Sequence, residues 1–355
     1  MAMLQGIGAH GDEATVLPAA HYSGNPQADV AVFYGLKAGT RNIFFDYQRA
    51  GKPCVYIDRG YFGRKAELEM KLHAILYEEI GPRSKMVCEN MEAGIRKYGD
   101  ATSRVKAYQH DGRASGDVAV FYGLKDGKDQ IFRDYNKAGK KVVFVDLGYF
   151  GRRDTSRVRE MEFHRFTVGE RHPEKISMSV DCPSDRIDRF GLEMKPWVKG
   201  DYILVAGMSR KSAHSYGMGN NEWELATIKK LKQHTDRLII YRPKPSDKGA
   251  RPIDGTRFSP REERLEGLLR NAHAVVTHHS NVSCEGLIAG VPCFLDTGIA
   301  SPLGRSDISL IETPYYPDDD LRRQWLANLG YWQWNCVEMA QGQPWWWLKK
   351  SGFLY

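Results

Sequence analysis

Short apolar runs of strand length alternate with amphipathic stretches over most of the chain. In the clearest case the run 118–124 (VAVFYGL) precedes a stretch with Ile131, Phe132 and Tyr135 on one helical face. A second apolar run, 141–151 (KVVFVDLGYFG), follows it. Runs that are apolar on both faces suit strands buried between two layers. The order strand, helix, strand predicts a right-handed crossover and a parallel sheet.

This pattern occurs twice, because the segments 3–64 and 91–152 align without a gap at a spacing of 88 residues. Of the 62 aligned positions 31 are identical, and between 29–64 and 117–152 the number is 24 of 36. Two copies are too few for a solenoid of stacked repeats. We interpret them as a tandem duplication of one half-domain. We expect the first copy to complete or extend the sheet of the second.

A second alternation of strand and helix patterns begins at residue 201. The predicted strands are 201–207, 237–245, 273–280 and 291–296, and the predicted helices are 221–235, 259–272 and 281–290. The helix at 259–272 opens with Ser259, Pro260 and Glu262, the pattern of a capping box. We therefore expect an α/β protein with two Rossmann-like, doubly wound domains.

We place the domain boundary near residue 195, since 355 residues are enough for two domains. The N-terminal domain is expected to span 1–194, including an arginine-rich linker at 153–194, and the C-terminal domain 195–312. The tail 313–355 holds six of the eight tryptophans and has a helical pattern without an obvious strand partner. We expect it to pack back across both domains.

Composition restricts the compartment and the partners. The six cysteines form no CxxC pair, as is typical of thiols in a reducing compartment. The N-terminus lacks a signal-peptide pattern, and no apolar run reaches the roughly 18 residues of a membrane span. We expect a cytoplasmic protein with no membrane partner. The net charge of +7 favours a polyanionic partner, although an ordinary basic surface explains it equally well.

Three strand exits in the C-terminal half carry polar chemistry. In parallel sheets ligands bind at the carboxyl ends of the strands, and helix N-termini attract anions. The exits are 207–219 (GMSRKSAHSYGMG), 241–245 (YRPKP) and 277–286 (THHSNVSCEG). Hydroxyls, amide N–H groups and cations together suit a diphosphate, and a carboxylate one helical turn further on suits ribose hydroxyls. These exits predict a nucleotide-sugar site.

Each of these residues also has a structural interpretation. Ser280 or Asn281 can serve only as a helix cap. Arg242 and Lys244 can belong to a solvated loop, since surface cations are common. His278 and His279 alternate in side-chain direction, so at most one of them needs to face a ligand.

Several enzyme classes lack their signatures here. The sequence contains no GxGxxG after a strand, which disfavours a dinucleotide-dependent dehydrogenase. It also contains no GxxxxGK[ST], HExxH or GxSxG motif, which removes the usual signatures of P-loop NTPases, zinc proteases and serine hydrolases.

The segment THHSNVSCEGLIAGVPCFLD resembles the donor-site segment of GT-B glycosyltransferases, and capsule-type transferases have similar segments. From DVAVFYGLK through GYFGR, RHP, ILVAG, YRPKP and THHSN to the tryptophan-rich tail, the chain is similar to glycosyltransferase-like proteins of tailed phages. This resemblance covers roughly 90–355, and the added first copy departs from it. It implies an N-terminal acceptor-side domain and a C-terminal domain that binds a UDP- or CMP-type nucleotide sugar.

The resemblance also implies roles for individual residues. The donor-binding set is Ser209, Lys211, Arg242, Lys244, His279, Ser280, Asn281 and Glu285. Cations in this set would neutralise the leaving phosphate, so no metal ion and no other cofactor is expected. We expect an inverting enzyme, which needs a base to deprotonate the acceptor hydroxyl.

Asp146 is the first candidate for this base, because it follows the buried run VVFV as the aspartate of phage DNA glucosyltransferases follows an N-domain strand. Asp146 can instead serve only the GYFG turn. Asp58 is its counterpart in the first copy, and Glu170 and His172 are the reserve candidates. His172 can also be part of a simple His-Pro turn.

Three functional hypotheses follow. The first is a glycosyltransferase acting on a hydroxymethylated base in phage DNA, which would place it in the host cytoplasm. The second is the same reaction on a surface polysaccharide or small glycan. The third is a non-catalytic protein with a GT-B-like fold that binds a nucleotide or DNA. The basic charge and the absence of a membrane anchor favour DNA as the acceptor. The sequence does not indicate an oligomeric state.

Overall fold

The chain forms two compact units, Met1–Met70 and Lys71–Tyr355. The structure is a computed structural model that describes residues 23, 25–26, 28–34, 43, 46–47, 49–57, 70–124, 127–151, 159–172, 174, 176–247 and 249–355. Asp58, the first-copy counterpart of Asp146, lies outside the described residues.

In the first unit, strands β1 (Ala31–Tyr34) and β2 (Cys54–Ile57) pair in parallel. Ala31 lies opposite Cys54, and in the second copy Ala119 lies opposite Val142. Both pairs therefore have the same register after a shift of 88 residues. Because register decides which face of a strand each side chain occupies, the corresponding side chains of the two copies share the same faces.

The two copies also share a lysine contact. Lys52 Nζ donates to the carbonyl oxygens of Pro26 at 3.0 Å and Ala28 at 3.1 Å. Lys140, 88 residues further on, makes the two corresponding contacts at 2.7 and 2.6 Å. In both copies the lysine holds the segment before one strand against the start of the next.

The first copy does not extend the sheet of the second. β1 and β2 form a two-stranded sheet of their own, and the described strands of the sheet that contains the second copy all lie within 73–334. The expectation of one shared sheet is therefore wrong for the described strands. The sequence alignment does not reveal this separation into two sheets. Its second segment begins at Met91, which lies inside a helix of the larger unit.

The larger unit contains two sheets and ten described α-helices. Its strands are β3 (His73–Glu78), β4 (Ala101–Lys106), β5 (Val118–Tyr122), β6 (Lys141–Leu147), β7 (His164–Val168), β8 (Tyr202–Ala206), β9 (Leu238–Arg242), β10 (Arg257–Phe258), β11 (Ala272–Thr277), β12 (Cys293–Leu295) and β13 (Gln333–Trp334). Its helices are α1 (Pro82–Lys97), α2 (Lys128–Lys137), α3 (Asp185–Asp188), α4 (Arg210–Ser215), α5 (Glu222–Leu231), α6 (Leu265–Leu269), α7 (Val282–Ile288), α8 (Asp319–Tyr331), α9 (Cys336–Ala340) and α10 (Gln343–Lys350).

The six-stranded sheet has the order β13-β7-β6-β5-β3-β4. Strands β4, β3, β5 and β6 run parallel to one another. At the β6 side of the sheet, β7 pairs antiparallel with β6, and β13 pairs antiparallel with β7. Val120 of β5 packs with Val87 of α1, and its neighbour Phe121 packs with Tyr135 of α2 on the opposite face. All four side chains are fully buried, so the apolar run of β5 reflects a layer of helix on each side.

Strand β7 lies within the segment that we interpreted as a linker with short elements. Its antiparallel pairing with β6 places Arg165 opposite Asp146. The polar side chain at the end of β6 therefore has a cationic neighbour.

The five-stranded sheet has the order β10-β9-β8-β11-β12, and all its strands are parallel. In chain order this is 3-2-1-4-5, so the direction of winding reverses between β8 and β11. Open sheets of this kind bind ligands in the crevice at the carboxyl ends of those two strands.

The predicted capping box at Ser259 does not form, because helix α6 begins only at Leu265. The Ser259 N–H donates to the Tyr241 carbonyl at 2.8 Å, which continues the pairing of β10 with β9. The Ser259 hydroxyl accepts a hydrogen bond from Arg242 at 2.9 Å. The serine is thus committed to the sheet and to a buried arginine.

The tail contributes a strand as well as helices, contrary to expectation: β13 pairs with β7. Lys349 Nζ lies 2.9 Å from Asp100 Oδ2, and both side chains are buried. Asp100 lies between α1 and β4 of the six-stranded sheet. Near the other sheet, Arg322 donates to the Lys195 carbonyl at 3.0 Å, and the Trp325 Nε1 donates to the Ile299 carbonyl at 3.1 Å. The tail therefore contacts elements around both sheets.

None of the helices in the described part of the chain is both long and apolar enough to span a bilayer.

Candidate functional site

The exits of β8 and β11 form the centre of the candidate site. The Thr277 hydroxyl donates to the Ala206 carbonyl at 3.0 Å, which joins the ends of the two strands. The Thr277 oxygen also accepts the Ser280 N–H at 3.2 Å, which turns the chain from β11 toward α7. The two exits are thus held side by side where the winding of the sheet reverses.

Ser209 caps α4, the helix that follows β8. Its hydroxyl accepts the Ser212 N–H at 3.1 Å, as expected for a serine before a helix. The two cations that follow Ser209 are exposed, and Arg210 lies 3.4 Å from the Asp247 carboxylate. Lys211 is the other of these cations.

The second predicted exit, 241–245, separates its two cations. Arg242 is only 9 % exposed and donates to Ser259, so its guanidinium lies in the interior. Lys244 is exposed, and its carbonyl accepts the Asp247 N–H at 2.8 Å in the following turn. Of these two cations only Lys244 is exposed.

The start of α7 exposes a short polar segment. The Ser280 hydroxyl accepts the Val282 N–H at 3.3 Å, whereas the Asn281 side chain makes no capping hydrogen bond. Glu285 lies half-buried in the first turn of this helix. Ser280 therefore acts as the cap, and the Asn281 side chain is not used for that purpose.

His279 connects the two exits. Its Nε2 lies 3.1 Å from the Ser212 hydroxyl, and its Nδ1 lies 2.8 Å from the Nδ1 of His278. The Tyr216 ring packs against both imidazoles, with centroid distances of 4.6 and 5.1 Å. Burial, together with positive neighbours such as Lys244, lowers the pKa of His279 to about 3. His279 is therefore a neutral hydrogen-bonding group at pH 7.

His172 packs against His279 from an element of the other sheet. Their ring centroids are 5.5 Å apart, although His172 follows β7 of the six-stranded sheet and His279 follows β11 of the five-stranded sheet. Burial and the Arg165 guanidinium lower the pKa of His172 well below its ordinary value. The predicted reserve base therefore lies beside the predicted donor residue.

Arg165 joins two of the predicted catalytic residues. Its Nη2 donates to Asp146 Oδ2 at 3.1 Å, and its Nη1 donates to His172 Nδ1 at 3.2 Å. Since Nδ1 accepts this bond, the neutral imidazole carries its proton on Nε2. As placed, His172 can donate a hydrogen bond but has no free nitrogen to take up a proton. The second carboxylate oxygen of Asp146, Oδ1, accepts the Leu147 N–H at 2.8 Å, and the Asp146 side chain is 36 % exposed.

Sequence reasoning did not select Arg165, because it lies inside a segment interpreted as a linker. The signal that could have found it is the pattern HRFTV, in which one cation interrupts a short β-prone run.

The remaining predicted residue, Glu170, lies half-buried in the turn after β7, and it is not joined to this network by a described contact. Its neighbour Arg171 pairs with Asp129 and lies 5.6 Å from the Tyr216 ring centroid. Arg171 therefore provides a second contact between elements that follow the two sheets.

Among the described residues there is no group of three or more His, Cys, Asp or Glu side chains that could hold a metal ion. The expectation of metal-independent chemistry stays a prediction.

Neither the family models nor the curated proteins that were searched match this chain. Solved structures with some similarity include two of Thermosulfurimonas dismutans KpsC, a β-Kdo 2,4 transferase and a β-Kdo 2,7 transferase. They are 10 % and 12 % identical to this chain, cover 72 % and 77 % of it and 89 % and 98 % of their own chains, and both have a TM-score of 0.44.

A third similar structure is the UDP-GlcNAc 2-epimerase of Methanocaldococcus jannaschii in complex with UDP-GlcNAc and UDP. It is 13 % identical, covers 64 % of this chain and 83 % of its own, and has a TM-score of 0.25. Likenesses of this strength carry no argument about chemistry. The functional assignment therefore depends on the site itself.

Proposed function

We propose that this protein transfers a sugar from a nucleotide-sugar donor to an acceptor hydroxyl, in the cleft between the two sheets. The observation that carries this proposal is the approach of His172 to His279 at 5.5 Å. It supports a site in which Asp146, linked through Arg165 and His172, acts at the carboxyl edge of the parallel sheet where a ligand is expected.

The donor would bind at the exits of β8 and β11. Backbone N–H groups at the starts of α4 and α7 and the exposed Lys211 and Lys244 suit the diphosphate or phosphodiester of a UDP- or CMP-type sugar. Ser280 and Asn281 lie at the same edge, and Glu285 would accept ribose hydroxyls. Arg242 would take part only if it left Ser259.

In the proposed reaction the acceptor oxygen attacks the anomeric carbon as the bond between that carbon and the phosphate oxygen breaks. The acceptor proton passes to Asp146, and the leaving phosphate keeps the electron pair. Attack from the face opposite the leaving group inverts the anomeric configuration. Arg165 would orient Asp146, and the lysines would stabilise the leaving phosphate in place of a metal ion.

For the acceptor we retain the proposal of a hydroxymethylated base in DNA. The net charge of +7 supports it, since cationic proteins attract polyanions. A polysaccharide hydroxyl is the alternative, and the assay below includes it.

We further propose that the two copies arose by duplication of one ancestral segment. The shared strand register and the shared lysine contact support a common origin.

A donor and acceptor panel tests the proposal. The protein is incubated with UDP- and CMP-sugars, either alone, with hydroxymethylated or unmodified DNA, or with a polysaccharide acceptor, and products are identified by mass spectrometry. We expect transfer to hydroxymethylated DNA only, and we expect it to persist in excess EDTA. Transfer to the polysaccharide would replace the proposed acceptor. If neither sugar transfer nor donor hydrolysis is detected with any of the sugars, the enzymatic function is contradicted.

A further inference from the structure

Glu174 reaches from the segment after β7 to the residues that follow β12 of the five-stranded sheet. Its Oε1 accepts the Gly298 N–H at 2.6 Å and also accepts a hydrogen bond from the Thr297 hydroxyl. Both donors follow β12, at the carboxyl edge of the five-stranded sheet. A carboxylate of this chain therefore occupies a pair of convergent donors beside the proposed donor site.

The pair of donors is firmly built. The Thr297 N–H donates to the His278 carbonyl at 3.0 Å, which ties the exit of β12 to the exit of β11. Gly298 has φ of +121°, and a Cβ at this position would lie 3.3 Å from the His279 Cα. A larger residue would be strained and crowded there, so the amide of residue 298 is fixed close to His279.

The negative charge of Glu174 has neutral hydrogen-bonding partners. Among the described residues its carboxylate forms no ion pair, and its two partners at 297 and 298 are neutral donors. His279, which lies against Gly298, is a neutral imidazole at pH 7, and Lys244 acts on the same imidazole. A phosphate oxygen in place of the Glu174 carboxylate would keep both hydrogen bonds.

We propose that Thr297 and Gly298 form an oxyanion subsite for the donor phosphate, and that Glu174 is its built-in occupant until a phosphate displaces it. This inference rests on the proposed function, because it assigns the subsite to that donor. Displacement would also release the contact that Glu174 makes across the cleft, so donor binding and cleft opening would be coupled.

Calorimetric titration with inorganic pyrophosphate tests the subsite without requiring turnover. Glu174→Gln keeps the shape of the side chain and removes its charge, and Glu174→Ala removes the occupant. We expect both variants to bind pyrophosphate about tenfold more tightly than the wild type, because a charge-assisted competitor is lost. Thr297→Val should weaken binding several-fold in the wild-type and Glu174→Ala backgrounds, since it removes one of the two donors.

Unchanged or weaker binding in both Glu174 variants, with thermal unfolding as in the wild type, would overturn the inference, as would a failure of every form to bind pyrophosphate. If Glu174→Ala does not fold, Glu174→Gln decides alone. The donor panel reports on the proposed function separately. Pyrophosphate binding with the expected variant effects but no sugar turnover would contradict the transferase and keep the oxyanion subsite. Turnover with unchanged pyrophosphate affinities would overturn only the subsite.

Discussion

The imidazole of His172 lies 5.5 Å from the imidazole of His279, and the two residues follow strands of different sheets. Arg165 holds His172 on one side, and Ser212 contacts His279 on the other. This relationship connects the proposed base Asp146 with the exits of β8 and β11. It is the reason why we place one cleft, and one active site, between the two sheets.

The first prediction concerns the base. Asp146→Asn should reduce the single-turnover rate of transfer by about 10²–10⁴, because an amide cannot accept the acceptor proton, while donor affinity is retained. Asp58→Asn, the matched change in the first copy, should have a much smaller effect. An inactive Asp58 variant with an active Asp146 variant would instead place the active site in the first copy.

The second prediction distinguishes the two cations after β9. Lys244→Ala should weaken donor binding about tenfold or more, as expected for one charge-assisted phosphate contact. Arg242→Ala should lower the free energy of unfolding by about 1–3 kcal/mol, because it removes the buried bond to Ser259. Calorimetry and denaturant unfolding of both variants measure these effects. Equal donor affinity in the Lys244 variant and the wild type would indicate a solvated loop.

The third prediction concerns pH. Burial lowers the pKa of His279 to about 3 in the folded protein, whereas an exposed histidine has a pKa near 6.5. The unfolded chain therefore binds the proton more readily, and stability is complete above about pH 6.5 and falls as the pH decreases toward 3. The pKa of His172 is also lowered, so His172 contributes a loss of stability at low pH in the same direction.

His279→Gln should flatten this dependence, measured as the free energy of unfolding at several pH values between 7 and 4. His214→Gln, at an exposed site, is the control. The same slope in the wild type and in the His279 variant would show that His279 is not the group responsible.

The fourth prediction concerns the tail. Asp100 and Lys349 form a buried ion pair, and the Trp345 Nε1 donates to the same carboxylate at 2.6 Å. Asp100→Asn should lower the free energy of unfolding by about 3–5 kcal/mol, since it leaves a buried ammonium without its counter-charge. The double change Asp100→Asn, Lys349→Met should recover part of this loss. A single variant as stable as the wild type would show that the pair does not fasten the tail.

Much of the strand and helix pattern could be predicted because it is local. Strands β5, β6, β8 and β11 coincide closely with the apolar runs from which they were predicted, and Gly290 ends α7 with φ of +77°. The predicted start of α6 was wrong because the Ser259 side chain makes a tertiary contact with Arg242. This contact outweighs the local preference of serine for a capping position.

The candidate site was only partly predictable. Ser209, Ser280 and His279 follow strands that the sequence identifies, so their common edge of the sheet could be expected. Arg165 could not be, since its place beside Asp146 depends on the register of an antiparallel strand, which a single sequence does not specify. The burial of Arg242 likewise depends on a long-range pairing of β10 with β9.

The most direct test of the central claim is hydrogen–deuterium exchange of the full chain with and without a saturating nucleoside diphosphate such as UDP or, if that does not bind, CMP. If the donor binds where β8 and β11 end, amide exchange should slow in 207–216 and 277–285 and change little at the opposite, amino-terminal edge of the same sheet. Protection confined to other parts of the chain, with these two segments unchanged under saturating nucleotide, would contradict the placement of the donor site.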